Sequence, residues 1–138
     1  MIFPFVSVRQ QLEALYRQPG FESSLRHWIN WPTFDNILTD IYDDKNSINF
    51  FRYDVADSHL ELVLNLDWFQ PFEGTIHSTG VLYAAICNLP RDIRFKREII
   101  LILGLLPGPD EVSLHKINYY LAPIVNNLIS LWKGVTLN

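Results

Sequence analysis

From His59 to Trp68 the chain alternates: Leu60, Leu62, Leu64 and Leu66 fall on one side of an extended strand, and Glu61, Val63, Asn65 and Asp67 on the other. Pro71 has no N–H to give a ladder and closes the strand. Two more strand-like runs follow, from about Thr79 to Asn88 and from about Ile99 to Leu106, and hairpin-length connections make neighbouring strands antiparallel. Elsewhere the period is helical. Ser7 with Gln10 makes a capping box, Val8, Leu12 and Leu15 recur at helical spacing, and Pro19-Gly20 stops the segment. Phe21, Leu25, Trp28 and Ile29 predict a second short helix ended by Pro32, and Asp35 to Tyr42 add a turn or two. After the Pro107-Gly108-Pro109 break, Ser113 caps a helix with apolar positions Ile117, Leu121, Ile124, Leu128 and Leu131. Pro123 removes a backbone bond inside it, so that helix is kinked, or restarts with Pro123 at its first position. The pattern is α+β: a helical lead-in over residues 1–58, then a three-stranded antiparallel sheet and a kinked helix over residues 59–138.

Composition narrows this picture. With 138 residues, 49% of them hydrophobic, the chain buries one core and is too short for two ordinary domains, so one globular unit is expected. A net charge of −4 excludes a protein whose whole surface is a nucleic-acid footprint, and any DNA contact must be local. Cys87 is the only cysteine, which excludes an internal disulfide and a cysteine-built zinc site and suits a reducing compartment. The most apolar run, Ile99 to Leu106, falls far below the roughly 20 residues that span a bilayer, so it reads as a buried strand and no membrane is expected. The segment Met1-Ile2-Phe3-Pro4-Phe5 lacks a basic region and a long apolar stretch, and an intracellular product is expected.

The candidate chemistry centres on Asp67, at the end of an apolar strand and before an aromatic, proline-broken turn. Read locally, it is a strand-end aspartate capping that turn. The stretch Leu64-Asn65-Leu66-Asp67-Trp68-Phe69-Gln70-Pro71-Phe72 resembles the Asp-Gly-Phe-Asn-Pro-Phe signature of CACTA-type (En/Spm) transposases. Other blocks stand in the order that family has them. Upstream are Gln10-Gln11-Leu12-Glu13-Ala14-Leu15-Tyr16, Leu25-Arg26-His27-Trp28 and Thr39-Asp40-Ile41-Tyr42-Asp43; downstream are Asn88-Leu89-Pro90, Leu106-Pro107-Gly108-Pro109 and Tyr120-Leu121-Ala122-Pro123-Ile124-Val125. Trp68 and Asp44 stand where the family often has glycine. The resemblance implies the first half of an RNase H-like fold, with Asp67 as the first carboxylate of a DDE triad and a ligand for Mg2+ or Mn2+. It also implies transposon-end DNA as partner, strand cleavage and transfer as reaction, and a nuclear location. In the family the second aspartate lies on the next strand and the glutamate much later, so this chain carries one of three. Two-metal phosphoryl chemistry needs carboxylates that hold ions about 3.5–4 Å apart, so the isolated chain is expected to be inactive. Two other readings stay open: a non-catalytic module that binds DNA or full-length transposase, and a decayed transposon remnant. The absent half of the sheet leaves the Asp67 strand with an open edge, and self-association through it is expected.

Other acids compete poorly. Glu61 shares the Asp67 face but lies about 20 Å back along the strand. Asp110 and Glu111 follow the third strand, about 10 Å across the sheet. Asp40, Asp43 and Asp44 lack the glycine and spaced oxygens of a calcium loop and read as a helix end and solvated turn. His77 and His115 have no partner at ligand spacing and read as exposed. Arg91, Arg94, Lys96 and Arg97, interleaved with Ile93 and Phe95, crowd the connection between the second and third strands, either as a loop gripping a phosphate backbone or as a charged hairpin tip that keeps a sheet edge soluble. Trp28, Trp31 and Phe34 form a stacking surface or, more in keeping with their spacing, part of a core.

Overall fold

Three strands, β1 (Leu62–Phe69), β2 (Thr79–Ile86) and β3 (Leu101–Leu106), form one sheet in the order β1-β2-β3. The structure is a computed structural model and describes residues 6–32, 34, 37–43, 59–70, 74, 78–108 and 113–137. β2 and β3 are antiparallel, with Gly80 opposite Leu106, Ala84 opposite Leu101 and an irregularity between Leu82 and Tyr83. Two strands are shorter than their apolar runs for local reasons. β2 stops at Ile86 because Cys87 and Asn88 already form a turn, and β3 starts at Leu101 because the Ile99 and Ile100 N–H groups fold back onto the Lys96 carbonyl at 2.9 and 3.1 Å.

The helices follow their spacing signals in part. Helix α1 (Val8–Tyr16) buries Val8, Leu12 and Leu15, and the Gln10 N–H donates to Ser7 Oγ at 3.4 Å, the capping contact expected. Gly20, at φ 83°, supplies the left-handed residue at the N-cap of α2 (Phe21–Leu25). Instead of continuing, α2 gives way to a 3-10 turn over His27–Asn30, and a second 3-10 turn spans Ile41–Asp43. The β2–β3 connection contains a one-turn helix, α3 (Arg91–Arg94), where the sequence pattern shows only a charged loop. Helix α4 (Leu114–Trp132) runs through Pro123 as one helix, so the restart alternative does not occur. It packs on β3, buries Ile124, and leaves Tyr119, Val125, Ile129 and Trp132 exposed. Among the described residues no helix is long and apolar enough to cross a membrane.

The chain divides into two compact units, each drawn from both sides of residue 58: residues 1–15, 64–84 and 101–138, and residues 16–63 and 85–100. In the first, Val8, Leu12, Leu15, Leu82, Ala84, Leu101, Leu103, Leu106 and Ile124 are buried. In the second, Phe21, Leu25, Tyr42, Ala85, Ile86, Cys87, Leu89 and Ile99 are buried.

The sheet edges are treated differently. At the outer edge of β3 the Gln11 side chain stands in for a fourth strand: its Nε2 donates to the Ile102 carbonyl and its Oε1 accepts from the Ile102 N–H, both at 2.8 Å. β1 forms the other edge, with Val63, Leu64 and Phe69 each more than 40% exposed. The burial there departs from simple alternation, since Leu64 is exposed with Val63 rather than turned inward.

Candidate functional site

Asp67 lies near the C-terminal end of β1, and its side chain is exposed. Close packing fixes the strand ends around it. The Trp68 indole lies over Gly80 of β2, where an added Cβ would come within 3.2 Å of the ring and 3.1 Å of Leu106 Cβ. Gly108, just past β3, approaches Ser78 so closely that a Cβ there would stand 1.9 Å from the Ser78 carbonyl oxygen. On β1 the Asn65 side-chain amide donates to the Tyr83 hydroxyl of β2. Among the described residues the end of the sheet thus presents the Asp67 carboxylate to solvent.

Among the described residues no group of three or more His, Cys, Asp or Glu is gathered closely enough to hold a metal ion. Glu61 belongs to the other compact unit. Asp110, Glu111, Asp44, His77 and residues 71–73, where the proline-broken turn is expected, lie outside the described residues, and His115 is exposed.

The second unit contains a buried polar network that the sequence reading did not foresee. Its centre is an ion pair: Arg94 Nη2 donates to Asp40 Oδ1 at 2.9 Å, with the two side chains 4% and 1% exposed. Arg94 Nε donates to the Leu89 carbonyl at 3.0 Å, and its guanidinium lies 5.2 Å from the centroid of the Tyr42 ring. The Tyr42 hydroxyl stands 2.8 Å from the carbonyl oxygens of both Cys87 and Leu89 and donates its one proton there. Burial pushes the Tyr42 phenol up to about 12 against the opposing pull of Arg94, so the hydroxyl stays a donor. Burial disfavours the Arg94 charge, but the bonds to Asp40 and Tyr42 outweigh it and hold its pKa above the ordinary value.

Around this centre, Asn88 staples the entry to β1, its Oδ1 accepting from Glu61 N at 2.8 Å and its Nδ2 donating to the His59 carbonyl at 3.1 Å. Burial raises the Glu61 pKa, opposed by Arg94. Burial, and then Glu61, raise that of the Cys87 thiol, which suits an inert side chain. Cys87 sits in the turn after β2. Trp28 and Trp31 pack against Tyr42 and Cys87, the Trp31 and Tyr42 rings meeting edge to face at 5.3 Å, while Phe34 is 57% exposed. The two tryptophans are half-buried against the core, and Phe34 does not join them.

Asp43 organises the turn below the network. Its Oδ2 accepts from the Thr39 N–H, the Thr39 hydroxyl at 2.8 Å and the Asp40 N–H at 3.0 Å, and its Oδ1 from Trp31 Nε1 at 2.9 Å. The backbone bonds from Thr39 and Asp40 hold its carboxyl at about 2. A depressed carboxyl contributes stability above its unfolded pKa and loses it as the pH falls through the folded one. The stability contributed by Asp43 is therefore complete above pH 3.8 and lost on descent through about 2. Denaturant melts over that range are expected to show an acid limb that Asp43→Asn flattens; an unchanged limb would show that the turn does not depend on this carboxylate.

The four clustered cations separate. Arg91, Lys96 and Arg97 are exposed on the β2–β3 tip, whereas Arg94 points into the network. Arg91 reaches the Thr39 carbonyl at 3.5 Å. The tip and Asp67 fall in different compact units. An open groove of about 750 Å3 is lined by Glu22, Ser23, Arg26, His27, Asn30 and Trp31; there the Ser23 hydroxyl donates to the Gly20 carbonyl at 2.8 Å and Glu22 pairs with Arg26 at 3.3 Å. No protein-family model, curated protein or solved structure matches the chain.

Proposed function

We propose that this chain is the N-terminal part of the catalytic domain of a CACTA-type DDE transposase, in which Asp67 supplies the first carboxylate ligand for Mg2+ or Mn2+. The observation that carries the reading is the placement of Asp67: an exposed aspartate near the end of the first strand of a three-stranded antiparallel sheet that a helix follows. The ordered motif blocks add support, because they hold residues with specific structural work: Gln11 closes a sheet edge, Asp40 and Asp43 build the buried network and its turn, Asn88 staples β1, and Gly108 makes the close approach to Ser78.

The complete enzyme would cleave and transfer DNA strands at transposon ends, in the nucleus. The divalent ions would supply charge stabilisation and activate the attacking oxygen there; Asp67 would hold one of them, with the remaining ligands supplied by later carboxylates. Alone, this chain is expected to leave supercoiled DNA intact with Mg2+ or Mn2+. Cleavage that Asp67→Asn abolishes would contradict the incompleteness. The genomic sequence downstream tests the family reading: a frame continuing into a strand with a second aspartate supports it, and a downstream region without transposase-like sequence counts against it.

A further inference from the structure

The β2–β3 tip turns an arginine in and a phenylalanine out. Arg94 is 4% exposed, while Phe95, next in the chain, is 61% exposed. Both placements reverse the ordinary preference of these side chains. The backbone around Phe95 is tightly bonded: Arg94 N donates to the Pro90 carbonyl at 2.9 Å, Lys96 N to Ile93 at 3.0 Å, and Ile99 N to Lys96 at 2.9 Å. Below it, Arg94 is clamped between the Leu89 carbonyl and Asp40. Arg91, Lys96 and Arg97 are exposed on the same tip, and so are Asp92 and Glu98. Three cations and two anions leave an exposed charge of +1, a meagre footprint for a duplex, whose binding scales with the phosphates neutralised. A ring presented on a rigid turn beside a few cations fits an unpaired base better, because base–aromatic stacking supplies affinity that the charges do not.

We propose that Phe95 is a stacking platform for an unpaired base of single-stranded DNA, with Arg91, Lys96 and Arg97 holding the neighbouring phosphates. This rests on the DNA-processing function proposed above and adds the strand form recognised and the side chain that meets the base.

The experiment is fluorescence anisotropy of the full chain with labelled oligothymidine and with a duplex of equal length, over a series of salt concentrations. The chain is expected to prefer the single strand. Phe95→Ala should weaken single-strand binding roughly 5- to 100-fold and leave duplex binding unchanged, and Phe95→Trp should retain it. Replacing Arg91, Lys96 and Arg97 with Ala should flatten the salt dependence by about 0.7 in slope for each phosphate released. The proposal is overturned by wild-type affinity in Phe95→Ala, by equal losses on both DNAs, by absence of binding at low salt, or by a Phe95→Ala effect confined to self-association, which would make the ring a protein contact. Failure of the transposase reading, as seen in the downstream sequence, would leave a positive stacking result standing.

Discussion

Arg94→Met is expected to destabilise the protein by about 3–5 kcal/mol, the loss typical when one partner of a buried ion pair is removed. The Asp40 side chain is 1% exposed, its Oδ2 has no hydrogen-bond partner among the described residues, and its Oδ1 would keep the Ile41 N–H at 2.6 Å, so the variant strands a buried charge that has lost its counter-ion. The same variant releases the Leu89 carbonyl and the face of Tyr42. Replacing both partners, as Asp40→Leu with Arg94→Met, should recover most of the loss, because well-packed apolar residues substitute for buried ion pairs at little net change. Urea melts of the two single variants and the double variant give the coupling. A single-variant loss below about 1 kcal/mol, the scale of a surface pair, would mean that the pair is solvated and holds nothing together.

Gly108→Ala is the second large effect. The added Cβ would meet the Ser78 carbonyl oxygen at 1.9 Å, and the obstacle is backbone, so no side-chain rotation relieves it. The end of β3 or the start of β2 must shift, at the upper end of the roughly 1–3 kcal/mol that overpacking costs. Gly80→Ala meets Leu106 Cβ at 3.1 Å and the Trp68 ring at 3.2 Å, contacts that a shift of a few tenths of an ångström can relieve, and should lose less. Thermal melts of the two variants check the order; equal or reversed losses would show that the Gly108 approach is not a fixed feature.

The strands were legible because period-2 alternation and proline punctuation are local properties of the chain. β1 overlaps the alternating run from His59 to Trp68, and β2 and β3 fall inside the apolar runs from about Thr79 to Asn88 and from about Ile99 to Leu106. The inward turn of Arg94 was not legible. A cation between Ile93 and Phe95 looks exposed in a sequence, and only the arrival of Asp40, 54 positions earlier, makes its burial affordable. Trp68 shows the same limit: it stands where the family signature often has glycine, and a glycine on the facing strand, Gly80, makes room for its ring. Gln11 reads as one more polar helical position, yet its amide closes the edge of β3, a role set by a strand 91 positions away. What escaped the sequence was therefore long-range polar pairing and shape complementarity, neither of which has a period.

Asp67 as a metal ligand is the centre of the proposed function, and paramagnetic broadening by Mn2+ in the isotope-labelled chain tests it most directly. With Asp67 the one carboxylate expected at the site, binding should be weak, on the order of 1 mM, since such ions rely on several oxygen ligands and substrate phosphates. Broadening is expected to centre on the amides of Leu66, Asp67 and Trp68 and to vanish in Asp67→Asn. Broadening centred elsewhere, or unchanged by that substitution, would contradict the assignment of Asp67.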